Sequence, residues 1–226
     1  TVIGYAAGDA VTTGAQNTFV GTNAATNATT AASMVAVGYQ AMASGAQGDY
    51  GVAVGQNALY TNTGASNTGI GNNALYANTS GTRNTAVGAN SLDANTTAND
   101  NVAVGWGALT ANTTGASNTA LGTTALEANT TASNNTVVGY NAMSTNTTGA
   151  SNVAMGMNAL LTNSTGDYNV ALGGSAMYYN TTADANTAIG YAALNANTTG
   201  ASNVAVGAYA LDANTTGAQN VAVGYN

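Results

Sequence analysis

Asn203-Val204-Ala205-Val206-Gly207-Ala208-Tyr209-Ala210-Leu211-Asp212-Ala213-Asn214-Thr215-Thr216-Gly217-Ala218-Gln219 is one clean copy of a unit that runs through the whole chain. Its glycine returns at Gly4, Gly21, Gly38, Gly55, Gly71, Gly88, Gly105, Gly122, Gly139, Gly156, Gly173, Gly190, Gly207 and Gly224. Every interval is 17 residues except the 16 between Gly55 and Gly71. A fixed period kept from end to end marks a repeat architecture, in which each unit rests on its neighbours and not on one central core.

With the repeated glycine as position zero, −1 is aliphatic in every copy, −3 is Val or Thr, and −2 is Ala in ten of fourteen. Such β-branched alternation signals a strand, whose period of two puts −3 and −1 on one face and −2 on the other. The −3 and −1 side chains are expected to face the core and the alanines to face outward. Position +3 is Ala in twelve of thirteen copies and +4 is Leu or Met in eleven, a second apolar wall. Asn fills +7 in ten copies and also stands at −4, ahead of the strand, in eleven of thirteen.

Seventeen residues are too few for a helix-turn-helix repeat and carry no heptad. They fit an all-β parallel β-solenoid, or β-roll, of about 13 coils with two or three short strands each, running over 1–226 as a single array. Coils stacked ~4.8 Å apart turn every column into a ladder of like residues. A laddered amide donates to one neighbouring coil and accepts from the other, satisfying buried polar groups without water. The structural ladder is therefore expected at Asn95, Asn112, Asn129, Asn146, Asn163, Asn180, Asn197 and Asn214. The repeat glycines Gly88, Gly105, Gly122, Gly139, Gly156, Gly173, Gly190 and Gly207 mark the same coils. In the 16-residue interval Thr63 stands alone before Gly64, so the deletion falls in a turn and the strands keep their faces.

Charge narrows the function classes. The 226 residues hold eight acids and one basic residue, Arg83, with no His, Cys or Pro, for a net charge of −7. One arginine cannot neutralise a phosphate backbone, so nucleic acid and anionic membranes are not expected partners. No apolar run approaches the ~20 residues of a membrane helix, so no membrane insertion is expected in this segment. Without His or Cys the usual triads and zinc sites cannot be built; no enzyme, metal site or cofactor is expected. Asp167 and Asp184 lie 17 apart and should stack about 5 Å apart, near the carboxylate spacing of a retaining glycosidase. On a solvated corner the pair reads first as plain surface charge, then as a cation bridge, and last as catalytic.

All nine charged residues fall at +5, +11 or +12, leaving −4 to +4 uncharged. A long uncharged apolar stripe is an aggregation hazard or an interface. It predicts a homo-oligomer packed through the stripe, with a homotrimer as the expected form. The chain begins and stops inside repeats, which reads as a window cut from a longer fibre.

The phrase Asn-(Val/Thr)-Ala-(Val/Ile)-Gly, followed by Ala and a small turn residue, resembles the left-handed β-roll repeats of trimeric autotransporter adhesin heads (YadA-like). Similar repeats occur in phage tail fibres. Ala41-Met42-Ala43-Ser44-Gly45 leading to Gly51-Val52-Ala53-Val54-Gly55 carries the likeness best. The family's repeats are shorter, and the Asn-Thr-Thr turn departs from them. The resemblance implies a trimeric, extracellular stalk or head on a virion or bacterial cell surface. It would act as a rigid spacer that meets a cell-surface receptor or glycan, and it brings no catalytic residues.

Aromatic residues stand at +1 (Tyr5, Tyr39, Trp106, Tyr140, Tyr191, Tyr225) and +5 (Tyr60, Tyr76, Tyr178). They are read first as rings that ladder on one another along the edges, and second as platforms for sugars. A threonine column at +8 gives an alternative function, an ice-binding β-solenoid. Ice-binding arrays favour Thr-x-Thr, whereas here the threonines are adjacent and one is expected to point inward.

Overall fold

The computed structural model describes residues 1–226, which are all-β with no helix; the fold is a parallel β-solenoid with a 17-residue repeat. Residues 1–116 and 117–226 form two compact units. The first holds β1 (Val2–Ile3), β2 (Thr18–Val20), β3 (Val35–Val37), β4 (Val52–Val54), β5 (Thr68–Ile70), β6 (Thr85–Val87) and β7 (Val102–Val104). The second holds β8 (Thr119–Leu121), β9 (Thr136–Val138), β10 (Val153–Met155), β11 (Val170–Leu172), β12 (Thr187–Ile189), β13 (Val204–Val206) and β14 (Val221–Val223). Within each unit every strand pairs in parallel with the strand one repeat on, so that Val87 lies opposite Val104 and Thr187 opposite Val204. At the short interval Val54 lies opposite Ile70, and Gly69 stays buried between half-buried Thr68 and exposed Ile70. The missing residue is absorbed in the turn, and the faces are kept.

Each coil has one strand of at most three residues, not two or three strands. The cause is backbone bending at fixed columns. Positions +2, +4 and +12 take left-handed conformations, as in Asn141 (φ 52°), Met143 (φ 51°) and Ser151 (φ 58°). A non-glycine residue there gives up about 1–2 kcal/mol, and an extended strand cannot pass through it. The repeat glycine does what no other residue can. Gly139 has φ +140°, and a Cβ on it would sit 2.5 Å from the Gly156 carbonyl oxygen of the next coil.

The strand faces are the reverse of the sequence expectation. The −2 column points inward: Ala36, Ala53, Ala86, Ala103, Ala154 and Ala205 are all fully buried. The larger −1 side chains point outward, with Val54 37%, Leu121 38% and Met155 44% exposed. Width explains the inversion. One coil's interior, formed by Ala154, Ala159, Leu160, Asn163, Gly166 and Asn169, already holds a leucine and two asparagines. Packing at interior density then leaves the strand room for a small side chain, Ala in most coils and Val at the fully buried Val137.

Candidate functional site

The polar interior follows from the two asparagine columns meeting at the small residue at +10. Asn146 Nδ2 donates to Asn129 Oδ1 of the preceding coil (3.1 Å) and to the Gly149 carbonyl of its own coil (2.9 Å). That carbonyl also accepts Asn135 Nδ2 from the −4 column (3.0 Å). The −4 column has its own ladder, in which the Asn152 backbone N–H donates to Asn135 Oδ1 (2.9 Å). Every member is removed from water, so each bond replaces one that water would have made.

The +7 amides link Asn62, Asn78, Asn95 and Asn112 in the first unit. In the second they link Asn129, Asn146, Asn163, Asn180, Asn197 and Asn214. The eight glycines from Gly88 to Gly207 all take φ between +130° and +140°. In one coil without the ladder residue another side chain takes over its bonds within the coil, though not those between coils. Gln47, buried in the coil that has Gly45 at +7, donates from Nε2 to the Met42 and Gly45 carbonyls (3.0 and 3.1 Å). Nothing in the column pattern marks Gln47, because it comes from a different position in its repeat.

The +11 carboxylates act on the backbone. Asp167 Oδ1 accepts the Ala150 N–H (2.7 Å), and Asp184 Oδ1 accepts the Asp167 N–H (2.8 Å). Each thus ties its coil to the preceding one, the same task that Asn99 performs for the Thr82 N–H (2.7 Å). Arg83 and Asp100 form a bidentate pair on an exposed corner, Nε to Oδ1 at 2.6 Å and Nη2 to Oδ2 at 2.8 Å. The guanidinium holds the Asp100 carboxyl below its ordinary range and is itself raised.

Two open cavities lie on the wall between columns +2 and +5. In the first unit Asn57, Asn73, Tyr76 and Asp93 line about 270 Å³. Tyr76 stacks on Tyr60 at 5.2 Å, and burial pushes the Asp93 carboxyl up. In the second unit about 330 Å³ is lined chiefly by Tyr178, Tyr179, Tyr191, Asn195, Tyr209 and Asp212. Tyr191 meets Tyr209 edge-on at 5.4 Å, and Tyr178 meets Tyr179 edge-on at 4.6 Å. Partial desolvation, with smaller contributions from Tyr191, Tyr225 and Asp212, raises the Tyr209 hydroxyl above an ordinary phenol. The +1 and +5 columns point to Tyr191 and Tyr178. Tyr179 and Tyr209 lie off those columns, so only the coil stacking brings them together.

The exposed hydroxyl column is at +9, where Thr97, Thr114, Thr131, Thr148 and Thr165 face solvent. The +8 hydroxyls donate along the stack, as Thr147 does to the Ser164 carbonyl (3.0 Å). Comparison of the chain with protein-family models, curated proteins and solved structures gave no match.

Proposed function

We propose that this chain is a structural shaft of an extracellular fibre, assembled from identical copies and devoid of catalysis. The carrying observation is the outward strand face. Along each unit it presents Val or Thr at −3 and Val, Ile, Leu or Met at −1 with no charge among them, and Ile70 38%, Met155 44% and Ile189 39% exposed. This stripe is more apolar than the alanine stripe expected from the sequence. An uncharged apolar strip of regular relief favours burial against another copy of itself. Three copies is the number that the resemblance to trimeric adhesin heads implies, and a virion tail fibre or a bacterial surface is the setting. A receptor or glycan is the partner such a shaft would meet.

Sedimentation equilibrium tests the reading. The wild-type chain is expected to sediment as a trimer, and Val138→Lys with Met155→Lys to release monomers that keep their β signal. A wild-type chain that stays monomeric at micromolar concentration overturns the shaft assignment.

Ice binding is the second reading, favoured by the regular exposed threonines at +9. It has one hydroxyl per coil to offer, because the +8 hydroxyls are engaged by carbonyls. Thermal hysteresis in solutions of the purified chain separates the two readings.

A further inference from the structure

In the second unit's cavity one polar group, Asn195, helps close the solenoid wall, while Tyr179, Tyr191 and Tyr209 are left exposed beside Asp212. A +5 side chain can close the wall by donating to the +2 carbonyl of the preceding coil, as Thr110 does to Asn90 (3.0 Å) in the first unit and, within this cavity, Asn195 does to Ser175 (2.8 Å). Asp212 stands in the same column and brings a carboxylate, an acceptor, to the cavity in place of that amide or hydroxyl donor. The rings beside it leave their surfaces open, with Tyr179 52%, Tyr191 54% and Tyr209 36% exposed. The same pairing recurs in the first unit, where Tyr76 and Asp93 share the +5 column beside the other cavity.

We infer that the groove formed by Tyr178, Tyr179, Tyr191, Tyr209, Asn195 and Asp212 binds a neutral carbohydrate. Its 330 Å³ lies within the about 300–1,000 Å³ of small-molecule sites. A pyranose presents a face of C–H groups, which packs on an open phenol ring, and a rim of hydroxyls. The Asp212 carboxylate offers acceptors for those hydroxyls, and the Tyr209 phenol, held above its ordinary value chiefly by desolvation, adds a second hydrogen-bonding group to the rim. Charge sets the class. Asp212 and the net charge of −7 repel acidic sugars. A quaternary ammonium would instead call for rings enclosing the ligand from several sides. Here Tyr191 and Tyr209 stand nearly perpendicular (77°) in an open groove rimmed by hydrogen-bonding groups. The inference takes its setting from the surface-shaft reading and deepens it by naming a ligand class and a site.

Two substitutions remove the site while keeping residues that the repeat already uses. Tyr209→Asn installs the residue found at +2 in Asn57, Asn73 and Asn141, which take the same left-handed backbone. Asp212→Asn installs the residue of Asn195 at +5. All samples carry Tyr76→Thr, the residue of Thr110 at +5, so that a single groove is read. The probes are lactose, cellobiose and diacetylchitobiose as neutral sugars, 3′-sialyllactose as the acidic one, and tetramethylammonium chloride as the cation. Titration calorimetry is expected to show at least one neutral disaccharide binding in the millimolar range, sialyllactose binding more weakly, and each substitution weakening the neutral sugar about tenfold. The inference is overturned if none of the three neutral sugars binds at about 10 mM, if both variants bind as the parent does, or if tetramethylammonium binds in their place. Sedimentation of the same samples keeps the two readings apart. A parent chain that is an intact oligomer yet binds no neutral sugar counts against the groove, and a parent chain that is a monomer yet binds sugar counts against the shaft.

Discussion

The Phe19 ring fills the space that Gly8 leaves empty: a Cβ on Gly8 would meet Phe19 Cδ2 at 2.6 Å. Gly8 stands at +4, where eleven other coils carry Leu or Met, and Phe19 stands at −2, where Ala is the rule. The first coil has moved its bulk across the interior from one wall to the other. Met34 and Ala25 repeat the exchange one coil later, both fully buried, with Met34 in a −4 position usually held by Asn.

Volume exchange predicts a strongly coupled pair. Phe19→Ala is expected to cost about 3–5 kcal/mol through the cavity it opens. Gly8→Leu alone should cost about 1–3 kcal/mol by overpacking. The double substitution recreates the common repeat and should recover most of the loss. Denaturant unfolding of the four proteins checks this, and additive losses would show that the two residues do not share one space.

The asparagine ladder predicts a different kind of loss. Asn146→Ala strips Asn129 Oδ1 of its ladder donor and Asn163 Nδ2 of its ladder acceptor. A buried polar position that loses its ladder bond costs up to about 1–3 kcal/mol, and since Asn163 Nδ2 keeps the Gly166 carbonyl the two together are expected to cost about 2–4 kcal/mol. The substitution Thr148→Ala, on the exposed +9 column of the same coil, should stay within about 0.5 kcal/mol. Equal effects from the two would remove the ladder from the centre of the fold.

The period, the glycine column and both asparagine columns were legible because stacking forces like residues into register, and register leaves a mark at every repeat. The strand's inward face was not. Alternation is symmetrical, and the usual guide, that the larger apolar residue is the buried one, fails where the +4 side chain and the asparagines already fill most of the interior, so that Ala is the rule at −2 and the fully buried Val137 the exception. The Gly8 and Phe19 exchange was the one sequence signal that −2 faces the core, since only an inward Phe can replace a missing Leu. The single strand per coil was hidden for another reason. Leucine in a left-handed conformation runs against propensity, so no rule of composition reports it. The tyrosine groove was half legible, because Tyr179 and Tyr209 stand off the aromatic columns and meet their neighbours only across coils.

Left-handed backbone at +4 predicts which hydrophobic residues that column accepts. Leu126 has φ 55° and is fully buried. A branch at Cβ crowds the backbone further in this region, and +4 carries only Leu, Met, Ala or Gly across the coils. Leu126→Met, matching Met143 and Met177, should cost under about 1.5 kcal/mol. Leu126→Ile, of equal volume, should cost about 2 kcal/mol more than Leu126→Met through backbone strain. Thermal midpoints that rank Ile with Met would mean that this backbone carries no such strain.

Two carboxylates predict opposite responses to pH. Burial raises the Asp93 carboxyl above its ordinary value of 3.8, so the folded chain holds this proton more tightly than the unfolded chain does. As pH rises through the folded value, ionisation costs the folded state more than the unfolded one, and stability falls. Below 3.8 both states are protonated and the penalty disappears. Asp93→Asn should therefore raise the melting midpoint at pH 7 and leave it unchanged at pH 3. Asp100 runs the other way, because the Arg83 fork holds its carboxyl below 3.8. Its contribution is present above that value and is lost as pH falls through the folded value, so Arg83→Gln should lower the midpoint at pH 7. At a pH acid enough to protonate Asp100 in the fold, that variant should match the wild type. The pair is exposed, so its effect should also fade as salt is raised. Melting curves of the three proteins from pH 2 to pH 7 at low ionic strength read both slopes, and a shift of the same sign for the two variants at neutral pH would contradict one of the two environments.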